Sequence, residues 1–143
     1  MYSTILLATD GSEDSRAALD HAVEVAAATG ASLHVVSVVE TRTAYDNAII
    51  DPEEVKENLR ADAVEAVEAA AAVAAAEDVS CETTVEEGVP PEQVLEVAER
   101  VGADLVVVGA TGRSGFKRLV LGSTAEQLLE SSGTAPVVVV ADE

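Results

Sequence analysis

Residues 104–109 read Asp104-Leu105-Val106-Val107-Val108-Gly109 (DLVVVG), and this stretch decides the fold. Its apolar residues run without alternation, are mostly β-branched, and are stopped by Asp on one side and Gly on the other. So short a run suits a strand better than a helix, and the lack of alternation means that both its faces are buried. Such a strand belongs inside a parallel sheet with helices on both sides. Working outward, similar runs occur in TILLAT (4–9), SLHVVSVV (32–39) and APVVVVA (135–141). The run at 80–86, with Cys81, Thr83 and Val85 alternating with polar neighbours, predicts a half-exposed edge strand.

Helical patterns fill the intervals. Leu19, Ala22, Val23 and Ala26 recur at helical spacing, and Gly30 is placed to close that helix. Asp51 as N-cap, Pro52 at the first helical position and Glu54 in a capping box predict the start of a long helix. Its inner stripe reads Val55, Leu59, Ala63, Ala66, Ala70 and Val73. Pro90-Pro91 opens a third helix through Val94, Leu95, Ala98 and Val101 to Gly102, and a fourth runs from Ser123 to Ser132. The order βαβαβαβαβ predicts a single-domain α/β fold over residues 1–143, an open five-stranded parallel sheet with helices on both faces. The segment ETRTAYDNAII between the second strand and second helix has no clear period and reads as a long loop.

Composition narrows the function. With 27 acidic and eight basic residues the net charge is −19, which argues against a nucleic-acid face, since neutralising phosphates needs dense Lys and Arg. Lys56 and Lys117 are the only lysines. This low-Lys, Ala/Val/Thr/Glu-rich balance is that of proteins from high-salt cytoplasm. No apolar run is long enough to span a membrane, and MYSTILLATDGS lacks the marks of a signal peptide, so a cytoplasmic protein is expected. The single Cys81 reads as a small buried side chain rather than a reactive thiol. His21 and His34 stand apart from any metal-ligand spacing and read as structural. The carboxylates of the long helix read as a solvated face.

Against this acidity, GATGRSGFKRLVLGST (109–124) gathers four of the nine glycines and three of the eight basic residues, Arg113, Lys117 and Arg118. Gly109 and Gly112 permit close backbone approach, and Gly122-Ser123-Thr124 brings the N–H groups of a helix start, which favour anions. The pattern is not a P-loop, and TDGSEDS after the first strand carries a single glycine, so the dinucleotide fingerprint is absent as well. In an open parallel sheet, ligands bind at the carboxyl ends of strands where the winding reverses. Were the first and fourth strands neighbours there, Asp10 and Gly109 would meet.

The spacing Gly109-x2-Gly112-x9-Gly122-Ser123 resembles the nucleotide-binding branch of the universal stress protein family. So do the strand ending in TDGS, HVV in the second strand, VGADLVVVGATG, LGSTAEQLL and the final PVVVV, so the resemblance spans the whole chain. It implies a Rossmann-like sheet of strand order 3-2-1-4-5, ATP with Mg2+ or Mn2+ held through the phosphates, at most slow hydrolysis, and a homodimer. Residue by residue, it implies Asp10 at the ribose and adenine end and backbone contact from Val35 to the adenine. Val108 and Gly109 then line the ribose side, Gly112 and Gly122 wrap the phosphates, and Ser123 and Thr124 donate to them. Thr111 stands where many relatives carry histidine.

Plainer readings stand beside these. Asp10 can serve only its own Asp-Gly turn, and Ser123 with Glu126 forms a capping box that needs no ligand. Arg113 is read as a phosphate or metal-nucleotide contact, while all three basic residues also suit a solvated patch. The apolar last strand, Val137–Val140, is expected to pair with a second copy. The overall expectation is an ATP-binding, nucleotide-dependent stress-response module. The alternatives are a genuine ATPase or phosphotransferase and a dimeric interaction protein with a vestigial site.

Overall fold

Five Val-rich strands lie parallel in one sheet of order β3-β2-β1-β4-β5. A computed structural model describes residues 2–40, 52–110, 123–130 and 135–141. The strands are β1 (Thr4–Ala8), β2 (Ser32–Val39), β3 (Cys81–Glu87), β4 (Leu105–Gly109) and β5 (Val137–Val140). The helices are α1 (Glu13–Thr29), α2 (Pro52–Ala76), α3 (Pro90–Val101) and α4 (Ser123–Glu130). Every residue of β4 is buried, as its unbroken apolar run requires, whereas β3 is half-exposed at one edge. β1 occupies the centre, with β4 beside it.

Alternate side chains divide into two cores. Ile5, Leu7, Leu33, Val35, Leu105 and Val107 face the side covered by α1 and α2. Leu6, Ala8, Val36, Val106 and Val108 face α3 and α4. Gly30 and Gly102 end α1 and α3 at φ of 76° and 68°, a left-handed cap that a side chain strains, and Gly30 N–H returns to the Ala26 carbonyl at 2.9 Å. The buried stripe of α2 is Ala63, Val67, Ala70 and Ala74, one position away from the expected Ala66 and Val73 over the second half. So many alanines flank the stripe that their spacing alone does not fix which row faces inward. Cys81 is only partly buried, and burial together with nearby Glu82 pushes its thiol pKa up, away from reactivity.

Ion pairs fasten the β3 edge to its helices. Lys56 Nζ on α2 lies 2.9 Å from Glu87 Oε1, and Arg60 lies 3.5 Å from its other oxygen. Arg100 on α3 holds Glu86 at 3.1 Å. At the opposite end of the sheet, Asp104 Oδ2 accepts the backbone N–H groups of Ser3 and Thr4, which ties the entrances of β1 and β4 together and holds its carboxyl below the usual range. No described helix is long and apolar enough to cross a membrane.

Candidate functional site at the β1–β4 switch point

The sheet winds outward from β1 through α1 to β2, and outward on the other side from β4 to β5. Ala8 pairs with Val108, so the two strands end side by side and the winding reverses between them. Asp10 lies two residues beyond the end of β1, and Gly109 closes β4, so the structure brings these two expected site residues together.

The turn after β1 is held by its own short polar side chains. Asp10 Oδ1 accepts the Ser12 N–H at 2.9 Å and the Ser15 hydroxyl at 2.8 Å. Asp10 N–H in return donates to Ser15 Oγ at 3.3 Å. Ser12 caps α1 by accepting the Ser15 N–H at 3.3 Å, and its hydroxyl donates to Ser15 Oγ at 3.1 Å. Gly11 takes φ of 82° and donates its N–H to Thr9 Oγ1. The turn-stabilising reading of Asp10 is therefore real.

Gly109 serves a purpose the sequence did not reveal. A Cβ there would stand 2.8 Å from the Asp14 carbonyl carbon and 2.9 Å from Ser15 N. The first turn of α1 rests directly on β4, so the missing side chain makes room for a helix backbone.

Backbone direction sorts the strand residues. In a parallel ladder the peptide groups of successive residues turn to opposite neighbours. Ser32 N–H donates to Ser3, and Val36 C=O accepts from Thr9, so the even-numbered residues of β2 face β1. Leu33 N–H and Val39 C=O bond towards β3, to Ser80 and Gly88, so the odd-numbered residues face away. Val35 is wholly buried mid-strand, paired with Leu7 and Thr83, and its peptide groups face β3 rather than the site. The residue suited to the contact expected of Val35 is Val38, whose N–H and C=O face the space above the end of β1. On the other side, Val106 and Ala110 donate to β5, so Gly109 turns its peptide groups towards β1. Val108 faces β5 through its backbone and packs its side chain, 6 % exposed, against the α3–α4 core.

Ser123 and Thr124 open α4, and their side chains fall outside the described residues, as do Gly112, Arg113 and Gly122. Helices that follow strands in a parallel sheet start at the end where the strands finish, so α4 brings its N–H groups to this face. The two helix starts differ in charge: α1 carries Glu13 and Asp14 in its first turn, α4 only Glu126. Among the described residues no three His, Cys, Asp or Glu side chains group as a metal site. His34 is buried beside Thr84, Nε2 to Oγ1 2.7 Å, which bears out a structural role.

The parallel sheet order and its switch point define a Rossmann-like α/β domain. Residues 1–141 match the model of the universal stress protein family, and the chain belongs to that family. It is 34 % identical over 141 residues to the universal stress protein MJ0531 of Methanocaldococcus jannaschii, covering 98 % of this chain and 82 % of that one. Among solved structures, the hypothetical protein MJ0577 superposes with a TM-score of 0.87 at 26 % identity, over 100 % of this chain and 98 % of the other. A universal stress protein in complex with cAMP superposes with a TM-score of 0.69 at 29 % identity, over 98 % and 97 % of the two chains.

Proposed function

We propose that this protein binds ATP in the β1–β4 crevice and acts as a nucleotide-dependent regulatory module of stress response, hydrolysing it slowly at most. The observation that carries the reading is placement: the Asp10 turn follows β1, and strand parity turns the peptide groups of Val38 and Gly109 towards β1 from either side. Backbone N–H and C=O from Val38 suit the edge of an adenine, and a carboxylate at Asp10 suits sugar hydroxyls. The cAMP complex of a 29 % identical relative supports an adenine nucleotide as the ligand class.

Charge orients the ligand. Glu13, Asp14 and Asp10 repel phosphate from the start of α1, leaving the start of α4 for the anionic end. There Ser123 and Thr124 donate, Gly112 and Gly122 give close approach, and Arg113 with Mg2+ or Mn2+ offsets the phosphate charge. Val108 and Gly109 line the ribose side. In a cytoplasm of molar salt, which the composition suits, the screening length is about 3 Å, so only such contacting charges act. A homodimer through Val137–Val140 completes the reading.

The test is a thermal melt in high salt followed by circular dichroism, with and without Mg-ATP. Nucleotide at about a hundred times its Kd stabilises by about 2.7 kcal/mol and raises the Tm. The protein lacks tryptophan, so copurified nucleotide would dominate its ultraviolet spectrum. No such signal and no Tm shift would overturn the proposal.

A further inference from the structure

We infer that Ser15 is a positioning residue for ribose recognition: its hydroxyl fixes the Asp10 carboxylate in the orientation that accepts the sugar hydroxyls, and Gly109 fixes Ser15. The inference rests on the adenine-nucleotide reading and names a residue that reading does not use.

The hydrogen-bond inventory of Ser15 carries it. A serine hydroxyl has one proton to give and two lone pairs. At Ser15 the lone pairs accept Asp10 N–H and the Ser12 hydroxyl, and the proton goes to Asp10 Oδ1 at 2.8 Å. The hydroxyl is fully committed, and the residue is 4 % exposed, so Ser15 acts on a ligand only through Asp10. The Ser12 N–H and the Ser15 hydroxyl converge on the same oxygen, Oδ1. Two donors on one oxygen set the plane of the carboxylate and hence the direction of its second oxygen.

A bond from a hydroxyl to a carboxylate is charge-assisted and among the stronger kinds. The other end of the device is rigid as well. Ser15 N lies 2.9 Å from where a Gly109 Cβ would stand, so the serine is seated on the end of β4, itself part of the proposed ribose wall. Strand end, helix start and carboxylate are locked as one unit before a ligand arrives, which lowers the ordering cost of binding.

A purely structural role, helix capping, predicts something different. Ser12 supplies the cap, and Ser12→Ala removes it while leaving both the backbone N–H and the Ser15 hydroxyl on Asp10. The experiment measures Kd by calorimetry for ATP and for 2′,3′-dideoxy-ATP in wild type, Ser12→Ala, Ser15→Ala and Asp10→Ala, with melting curves in parallel. The wild type is expected to prefer ATP at least about tenfold. Asp10→Ala and Ser15→Ala lose that preference, and Ser12→Ala keeps it while melting lower. Ser15→Cys, which preserves volume but donates weakly, shows a partial loss and serves should the alanine variant not fold. A wild-type ratio in Ser15→Ala or Ser15→Cys, or an equal loss in Ser12→Ala, overturns the inference while leaving the nucleotide reading intact. Wild-type protein that binds neither compound overturns both.

Discussion

Gly109 and Ser15, 94 positions apart in the chain, touch backbone to backbone: the place a Cβ would take on Gly109 lies 2.9 Å from the Ser15 nitrogen. This contact joins the two sides of the switch point. The end of β4 rests on the first turn of α1, which follows the turn after β1, so the spacing between Asp10 and the end of β4 is set by sheet and helix.

Gly109→Ala is therefore expected to destabilise the fold. The obstructing atoms are backbone and have little freedom to move, so an overpacking cost of about 1–3 kcal/mol applies. Urea denaturation of wild type and variant measures it. An unchanged midpoint would mean that α1 shifts freely on β4 and that the glycine answers to something else.

The layers of the fold were legible because unbroken Val runs and intervening helical stripes admit one arrangement. Strand ends were legible to one or two residues: Cys81–Glu87 against an expected 80–86, and Val137–Val140 against 135–141. The adjacency of β1 and β4 was only conditional in the sequence and is observed. Asp10 and Gly109 were singled out correctly as neighbours of the switch point, but the reason for Gly109 was not legible, because a gap filled by Asp14 and Ser15 is a tertiary fact. The Ser15 network was equally hidden, since a serine three residues after an N-cap looks like any helical surface residue. Whether a backbone group faces the site depends on strand parity, which no local pattern encodes, and this separates Val38 from Val35.

That parity gives a second expectation. Val35 is wholly buried among Leu7, Leu33 and Val107, so Val35→Ala removes core volume and lowers stability by about 2 kcal/mol or more. Nucleotide affinity per folded molecule stays at the wild-type value. Calorimetry on the folded variant checks this, and a selective loss of affinity would restore Val35 to the site.

Asp104 contributes a pH dependence whose sign follows from its partners. The N–H groups of Ser3 and Thr4 stabilise the charged carboxylate, so its pKa in the folded state lies below that of the unfolded chain, about 3.9. The stability it supplies is present above about pH 4 and is lost as the pH falls through the folded-state value. Compared with Asp104→Asn, the wild type is expected to be more stable at neutral pH, with the difference closing in acid. A difference that does not change with pH would show that the charge is immaterial.

His34 works in a higher window. It is buried between β2 and β3 beside Thr84, with Glu82 3.9 Å away and Arg100 also in range. Burial lowers its pKa most, Glu82 opposes that, and Arg100 adds to it. The unfolded chain takes up this proton first, at about pH 6.5, so stability conferred by the neutral ring is full above that pH and declines as the pH falls through the folded-state value. The stability advantage of wild type over His34→Gln, whose amide also reaches Thr84, is expected to shrink between pH 7 and pH 5. Denaturant midpoints across that range test it, and a constant advantage would refute neutral burial.

The place of β5 at the end of the sheet order permits a test of the proposed dimer that spares the monomer. Pro136 and Val140 C=O groups accept from Val106 and Ala110 of β4, so the even-numbered residues of β5 face inward and Val137 and Val139 turn their peptide groups to the outer edge. Val139→Pro deletes an outward N–H and leaves the β4 ladder whole, a placement that edge strands tolerate. Val138→Pro instead deletes an inward N–H and breaks that ladder. Sedimentation velocity is expected to show the wild type as a dimer and Val139→Pro as a folded monomer, while Val138→Pro is destabilised in its own right. A dimer that survives Val139→Pro would place the contact between copies somewhere other than the β5 edge.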